Sequence, residues 1–229
     1  MKAINRSPQV IMLPDPFRLA IALVPLAAYC ILLGMINARR RPFVTTGGCD
    51  LAALGAALSG LVLVGPIELF RPETASGAYG GFIWLFLIVL YWLCLWLTVL
   101  IARPRLVVYN VRGEELRPAL AEAARRLDPH ARWAGDNLAL PNLGVSLHIE
   151  CFEIMRHCSL ISSGGKQNMA GWERLSAELR NQLAGLRVAP NPRALGLMLA
   201  AALMLTASIS HLLLSPQQVA QAMGEMLSF

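Results

Sequence analysis

Apolar residues in this chain follow two rhythms. In four stretches, at 17–36, 51–70, 79–102 and 194–214, they run nearly unbroken for about 20 residues, the length a helix needs to cross a hydrocarbon core. In lipid each backbone N–H and C=O must be satisfied within its own segment, so all four runs are predicted to be helices. Between the third and fourth runs the pattern changes to shorter periods, which predicts a soluble domain at 103–193. The expected fold class is membrane α-helical, with four transmembrane helices (three of them within 17–102), an inserted α+β domain, and tails at 1–16 and 215–229.

Inside the insert, Leu106-Val107-Val108-Tyr109 reads as a strand. A helix follows from about Glu114, with Pro118 tolerated in its first turn and Leu116, Leu120, Ala123 and Leu127 on one stripe. Asp128-Pro129 ends it. Two short strands flank the turn signal Gly135-Asp136-Asn137. Val145, Leu147, Ile149 and Cys151 then alternate with Ser146, His148 and Glu150, and Cys158 and Leu160 alternate with His157, Ser159 and Ile161. A last helix, about 169–183, carries Trp172, Leu175, Leu179 and Leu183 on one face. The predicted order is β-α-β-β-β-β-α, with the helices on one face of the sheet.

Composition supports lipid as one of the two solvents. Of 229 residues, 56% are hydrophobic and 15% charged, with a mean hydropathy of +0.53; a soluble chain carries about 25% charged residues. The insert holds 13 of the 20 Lys and Arg and 9 of the 14 Asp and Glu. The net charge of +6 is read as basic flanks beside the spans, without the interleaved aromatics of a nucleic-acid surface, so no nucleic-acid partner is expected. Arg39, Arg40, Arg41, Arg103, Arg105, Arg112, Arg187 and Arg193 fall on one side of the spans, against Lys2, Arg6, Arg18 and Arg71 on the other. That bias predicts a cytoplasmic domain, in a bacterial-type inner membrane or its equivalent. The five cysteines include no CxxC pair, so neither a disulfide framework nor a zinc ribbon is expected, and cysteine usage is compatible with a reducing compartment.

Candidate chemistry is sparse. If Glu150 sits opposite His157 in a hairpin turning at 152–155, His148 lies two residues away on the same face, a set that could hold a divalent metal. The competing reading, a solvated or interface-facing sheet surface, is the stronger expectation. Cys158 beside His157 is not a nucleophile pair, because adjacent strand residues point to opposite faces. Gly164-Gly165-Lys166 before a helix, with Arg103, Arg105 and Arg193 at the span ends, could meet an anion or headgroup, but the spacing is not that of a phosphate loop. Small residues four apart, Ala52, Ala56 and Gly60 in one span and Gly196 and Ala200 in another, suit close helix packing, within the chain or onto a membrane partner or second copy. Glu68, read as pairing with Arg71, and His211 lie near span ends, and Tyr79, Trp84, Tyr91, Trp92 and Trp96 make the third span aromatic. No cofactor is predicted.

These features point first to a non-enzymatic anchoring, interaction or regulatory subunit that presents its domain to a cytoplasmic partner. The alternative is a membrane enzyme or enzyme subunit acting on a lipid or lipid-linked anionic substrate. A transporter component ranks third, since no span carries a mid-depth acid.

Overall fold

The computed structural model describes residues 16–67, 82–165, 167–217 and 219–220. Glu68, Arg71, Tyr79 and Lys166 lie outside the described residues. Three helices are long and apolar enough to cross a membrane: α1 (Pro16–Ala38), α2 (Gly47–Val62, its apolar course running on to Gly65) and α6 (Arg193–Leu214). A further apolar helix, α3 (Phe82–Ile101), precedes the domain.

α1 packs along α6 and against α2, while α3 touches α2. α1 and α2 approach closely at Gly60, where a Cβ would lie 1.9 Å from the Ile21 carbonyl oxygen. The stripe that α6 buries is Ala194, Ala201 and Ser208, seven residues apart. Gly196 lies about 200° around the helix from Ala194. It accordingly faces outward with nothing within 4 Å, and Ala200 is half-buried. On α2, Gly60 is buried and Ala52 and Ala56 are half-buried. On α3 a single half-buried line, Leu87, Tyr91, Leu95 and Val99, meets α2, and the Tyr91 hydroxyl donates to the Gly55 carbonyl at 2.6 Å.

The domain is a six-stranded antiparallel sheet. Five strands come from the insert: β2 (Arg105–Tyr109), β3 (Arg132–Ala134), β4 (Asn137–Leu140), β5 (Val145–Phe152) and β6 (His157–Ser162). The sixth, β1 (Phe43–Thr46), comes from the loop between α1 and α2 and pairs with β2, Phe43 opposite Tyr109. The spatial order is β1-β2-β6-β5-β4-β3. Helices α4 (Gly113–Leu127) and α5 (Met169–Ala184) cover one face. The core lies between Leu116, Leu120 and Ala124 of α4, Trp172, Leu175, Leu179 and Leu183 of α5, and the inward residues of the sheet, among them Leu106, Val108, Leu147 and Leu160. Burying such side chains supplies the main drive for folding the domain, roughly 1.5–3 kcal/mol for each large one. Asp128 ends α4 fully buried, accepting from the His130 and Asn142 amides at 2.9 and 2.8 Å.

The β5–β6 hairpin turns through Glu153–Arg156, with Arg156 at φ 48°. Its register pairs Phe152 with His157, Cys151 with Cys158 and Glu150 with Ser159. The sequence expectation of Glu150 opposite His157 is thus corrected by two residues. That register would close Phe152 on Met155 around a two-residue loop, Glu153-Ile154. Two-residue hairpin loops need positive φ, the property of Gly and Asn that neither residue has. The observed register also seats Cys151 against Cys158, Cα atoms 4.1 Å apart, and the two form a disulfide. The sequence, which offered no reason to expect a disulfide framework, did not reveal this single bridge.

Candidate functional site

The outer sheet face, opposite α4 and α5, abuts the ends of the apolar helices along β1, β2 and β6. There a polar cluster joins the two halves of the chain. Thr46 caps α2, its hydroxyl accepting from the Cys49 amide at 3.3 Å, and the next helical residue, Asp50, carries the central carboxylate. Arg105 of β2 donates to Asp50 Oδ2 at 3.1 Å, and the Tyr109 hydroxyl donates to Asp50 Oδ1. Arg105 and Tyr109 are four apart in one strand, so both point from the same face. The Arg105 stem crosses Gly47, where a Cβ would lie 2.0 Å from its Cγ, so glycine is what lets the strand lie this close to the helix start. Tyr29 of α1 lies beside Tyr109, and the His157 ring of β6 lies 5.1 Å from the Tyr109 ring.

The Asp50 side chain is 18% exposed and the Arg105 side chain 38%. Burial, then the hydrogen bond to Asp50 and its negative charge, push the Tyr109 phenol far above the ordinary tyrosine value, so it stays a proton donor. Burial also lowers the His157 pKa; the neighbouring Arg105 acts in the same direction and Asp50 against it. The imidazole is therefore held neutral. A cleft of about 220 Å³ opens beside the cluster, with Asp50, Tyr109, His157 and Asn37 among apolar walls from Leu33 and Leu197.

A second polar clasp lies nearby. Asn191 Nδ2 donates to Asn37 Oδ1 at 3.2 Å, its amide to the Asn37 carbonyl at 3.2 Å, and its own Oδ1 accepts from the Arg193 amide at 3.1 Å. Asn110, with φ 57°, donates from Nδ2 to the Arg39 carbonyl at 2.6 Å. Both ends of α1 and α6 nearest the sheet are thus held by buried asparagines.

The residues singled out from sequence are distributed unevenly around this junction. His148 pairs across to Ile161 and Asn137, with Nδ1 3.0 Å from Asn137 Oδ1. Glu150 is exposed opposite Ser159, and His157 belongs to the Asp50 cluster. No group of three metal-ligating side chains forms among the described residues. Arg103, Gly164 and Gly165 do converge, around a depression of about 470 Å³ at the end of α3. Arg105 does not join them, being held by Asp50, and Arg193 opens α6. His211 sits half-buried on α6.

Asp50, Asn37, Asn110 and Asn191 escape a motif search because their partners are far along the chain. A signal existed only for Asn191, since Asn-Pro-Arg at the head of an apolar run is turn and cap chemistry. Asp50 and Arg105 form a structural ion pair, while Tyr109, His157 and the cleft give the same place a donor and an acceptor. No family model, characterised protein or solved structure matches this chain.

Proposed function

We propose that this chain is a four-span membrane protein, α3 being the remaining span, whose α+β domain serves as a non-enzymatic interaction module held in a fixed pose at the bilayer surface. The observation that carries this reading is β1. A strand built from the loop between two apolar helices completes the sheet, and Asp50 of the second helix is bonded to Arg105 and Tyr109 of the domain. A domain that swung freely on its tethers would need neither device; a domain that presents one surface to a partner needs both. The outward Gly196 leaves a small-residue face of α6 open to a second membrane chain or copy. The test is purification in mild detergent followed by crosslinking. A stable complex supports the reading, and a strictly monomeric, partner-free particle sinks it.

The arginine bias supports a cytoplasmic domain. One observation favours the opposite face: the Cys151–Cys158 disulfide, a bond that persists in oxidising compartments. Membrane-impermeant maleimide labelling of a cysteine placed at exposed Glu150, in intact cells and after lysis, decides between them. The alternative function, an enzyme on a lipid-linked anion, draws on the depression shared by Arg103, Gly164 and Gly165. Loss of turnover on removing Arg103 would favour that alternative.

A further inference from the structure

A groove lies away from the Asp50 cluster, where the segment leaving α1 passes over the end of α5. It encloses about 660 Å³, and Arg39, Arg40, Arg41 and Arg180 line it, with Phe43 and Leu183 as apolar floor. We propose that this groove binds the phosphate of an anionic lipid headgroup.

The charge is uncompensated. Arg105 pairs with Asp50, Arg117 with Asp136, and Arg125 and Arg126 with Glu122, yet none of the four groove arginines pairs with a carboxylate among the described residues. A run of arginines after a span is ordinary topology signalling, and that role needs only their presence on one side. It does not need a concave wall, nor a fourth arginine brought in from α5. The fold supplies both: β1 is held on β2, and the Val188 amide donates to the Arg40 carbonyl at 3.0 Å, which fixes the arginine run beside α5. Planar guanidinium forks suit the paired oxygens of a phosphate. The position selects a lipid source. Arg39 directly follows the last residue of α1, so the groove opens where headgroups lie, and exposed Phe43 offers apolar contact for the glycerol and first methylenes.

The inference rests on the membrane reading, which is checked first by showing that detergent is needed to extract the protein. Native mass spectrometry of the full chain in neutral detergent, titrated with phosphatidylglycerol, then tests the groove. Phosphatidylglycerol is expected to bind with one saturable site, and phosphatidylcholine much more weakly. Arg180→Ala is expected to weaken binding about tenfold, the loss of one charge-assisted contact, with Arg180→Lys between the two. Arg174→Ala, an exposed arginine of α5 outside the groove, should leave affinity unchanged. Equal binding of the zwitterionic lipid, or wild-type affinity in Arg180→Ala, overturns the proposal. Full displacement of phosphatidylglycerol by millimolar inorganic phosphate overturns the lipid as the source. Should Arg180→Ala fail to fold, Arg40→Gln with Arg41→Gln gives the same reading from the other wall.

Discussion

Replacing Asp50 by alanine should uncouple the domain from the helices, and the size of the loss can be worked from its two partners. The Tyr109 hydroxyl donates to a carboxylate that is largely shielded from water, a charge-assisted bond of about 1.5–3 kcal/mol. The Arg105 pair, with its guanidinium side 38% exposed, adds ~0.5–1 kcal/mol after solvent screening. Together these give about 2–4 kcal/mol, or a fall in melting temperature of about 4–16 °C for a chain of this size. Asp50→Asn should lose less, because an amide oxygen still accepts from Tyr109. Tyr109→Phe alone should lose the phenol bond, about 1.5–3 kcal/mol, and the Asp50→Ala, Tyr109→Phe double variant should fall no further than Asp50→Ala. Thermal unfolding in detergent, followed by cysteine-reactive fluorescence and repeated with hydrogen exchange at β1, measures the cycle. If the two single losses add to within about 0.5 kcal/mol, Tyr109 and Asp50 are not partners and the junction is held by packing alone.

Two further outcomes follow from the same structure. Gly60→Ala must push the α1 backbone away at Ile21 and should lower thermal stability by about 1–3 kcal/mol, whereas Gly65→Ala, with nothing within 4 Å, should not; equal effects at both positions would refute the close approach. Because the folded His157 pKa is depressed, the unfolded chain takes up a proton first as pH falls. Stability should therefore be flat above the ordinary histidine value, about 6.5, and decline below it toward the folded value. His157→Gln should flatten that acid limb in melting curves recorded between about pH 5 and 8.

What the sequence makes legible is whatever depends on neighbours a few residues away. The apolar runs, the stripe of Trp172, Leu175, Leu179 and Leu183, and the alternation through Val145 and Ile149 each report a single element meeting one solvent or one core. What it hides depends on register and long-range pairing. Phe-Val-Thr-Thr is four residues in a loop between two long runs, and becomes β1 only because β2 arrives more than fifty residues later. The disulfide is hidden by the same two-residue slip that misplaces His157. With Glu150 opposite His157, Cys151 would face Arg156 and no bridge could form; with the four-residue turn that Arg156 allows, the two cysteines are opposed and on the same face.

Asp50 is the sharpest case. As the residue before an apolar run it reads as a boundary marker, and an acid in the first turn of a helix is favoured there with no tertiary partner at all. Its meaning comes from Arg105 and Tyr109, which share a strand face only if β2 is a strand, and which reach Asp50 only because β1 carries the start of α2 to that strand. One short strand therefore decides whether the chain is a membrane anchor with a tethered domain or a single unit in which the helices and the sheet fix each other. The arginine groove depends on it too, since Phe43 and Thr45 of β1 form part of its wall. Disrupting β1 with Val44→Asp, which puts a carboxylate among the buried residues of the core, should loosen the Asp50 cluster and weaken phosphatidylglycerol binding together. Loss of one without the other would separate the groove from the junction and show that β1 does not tie them.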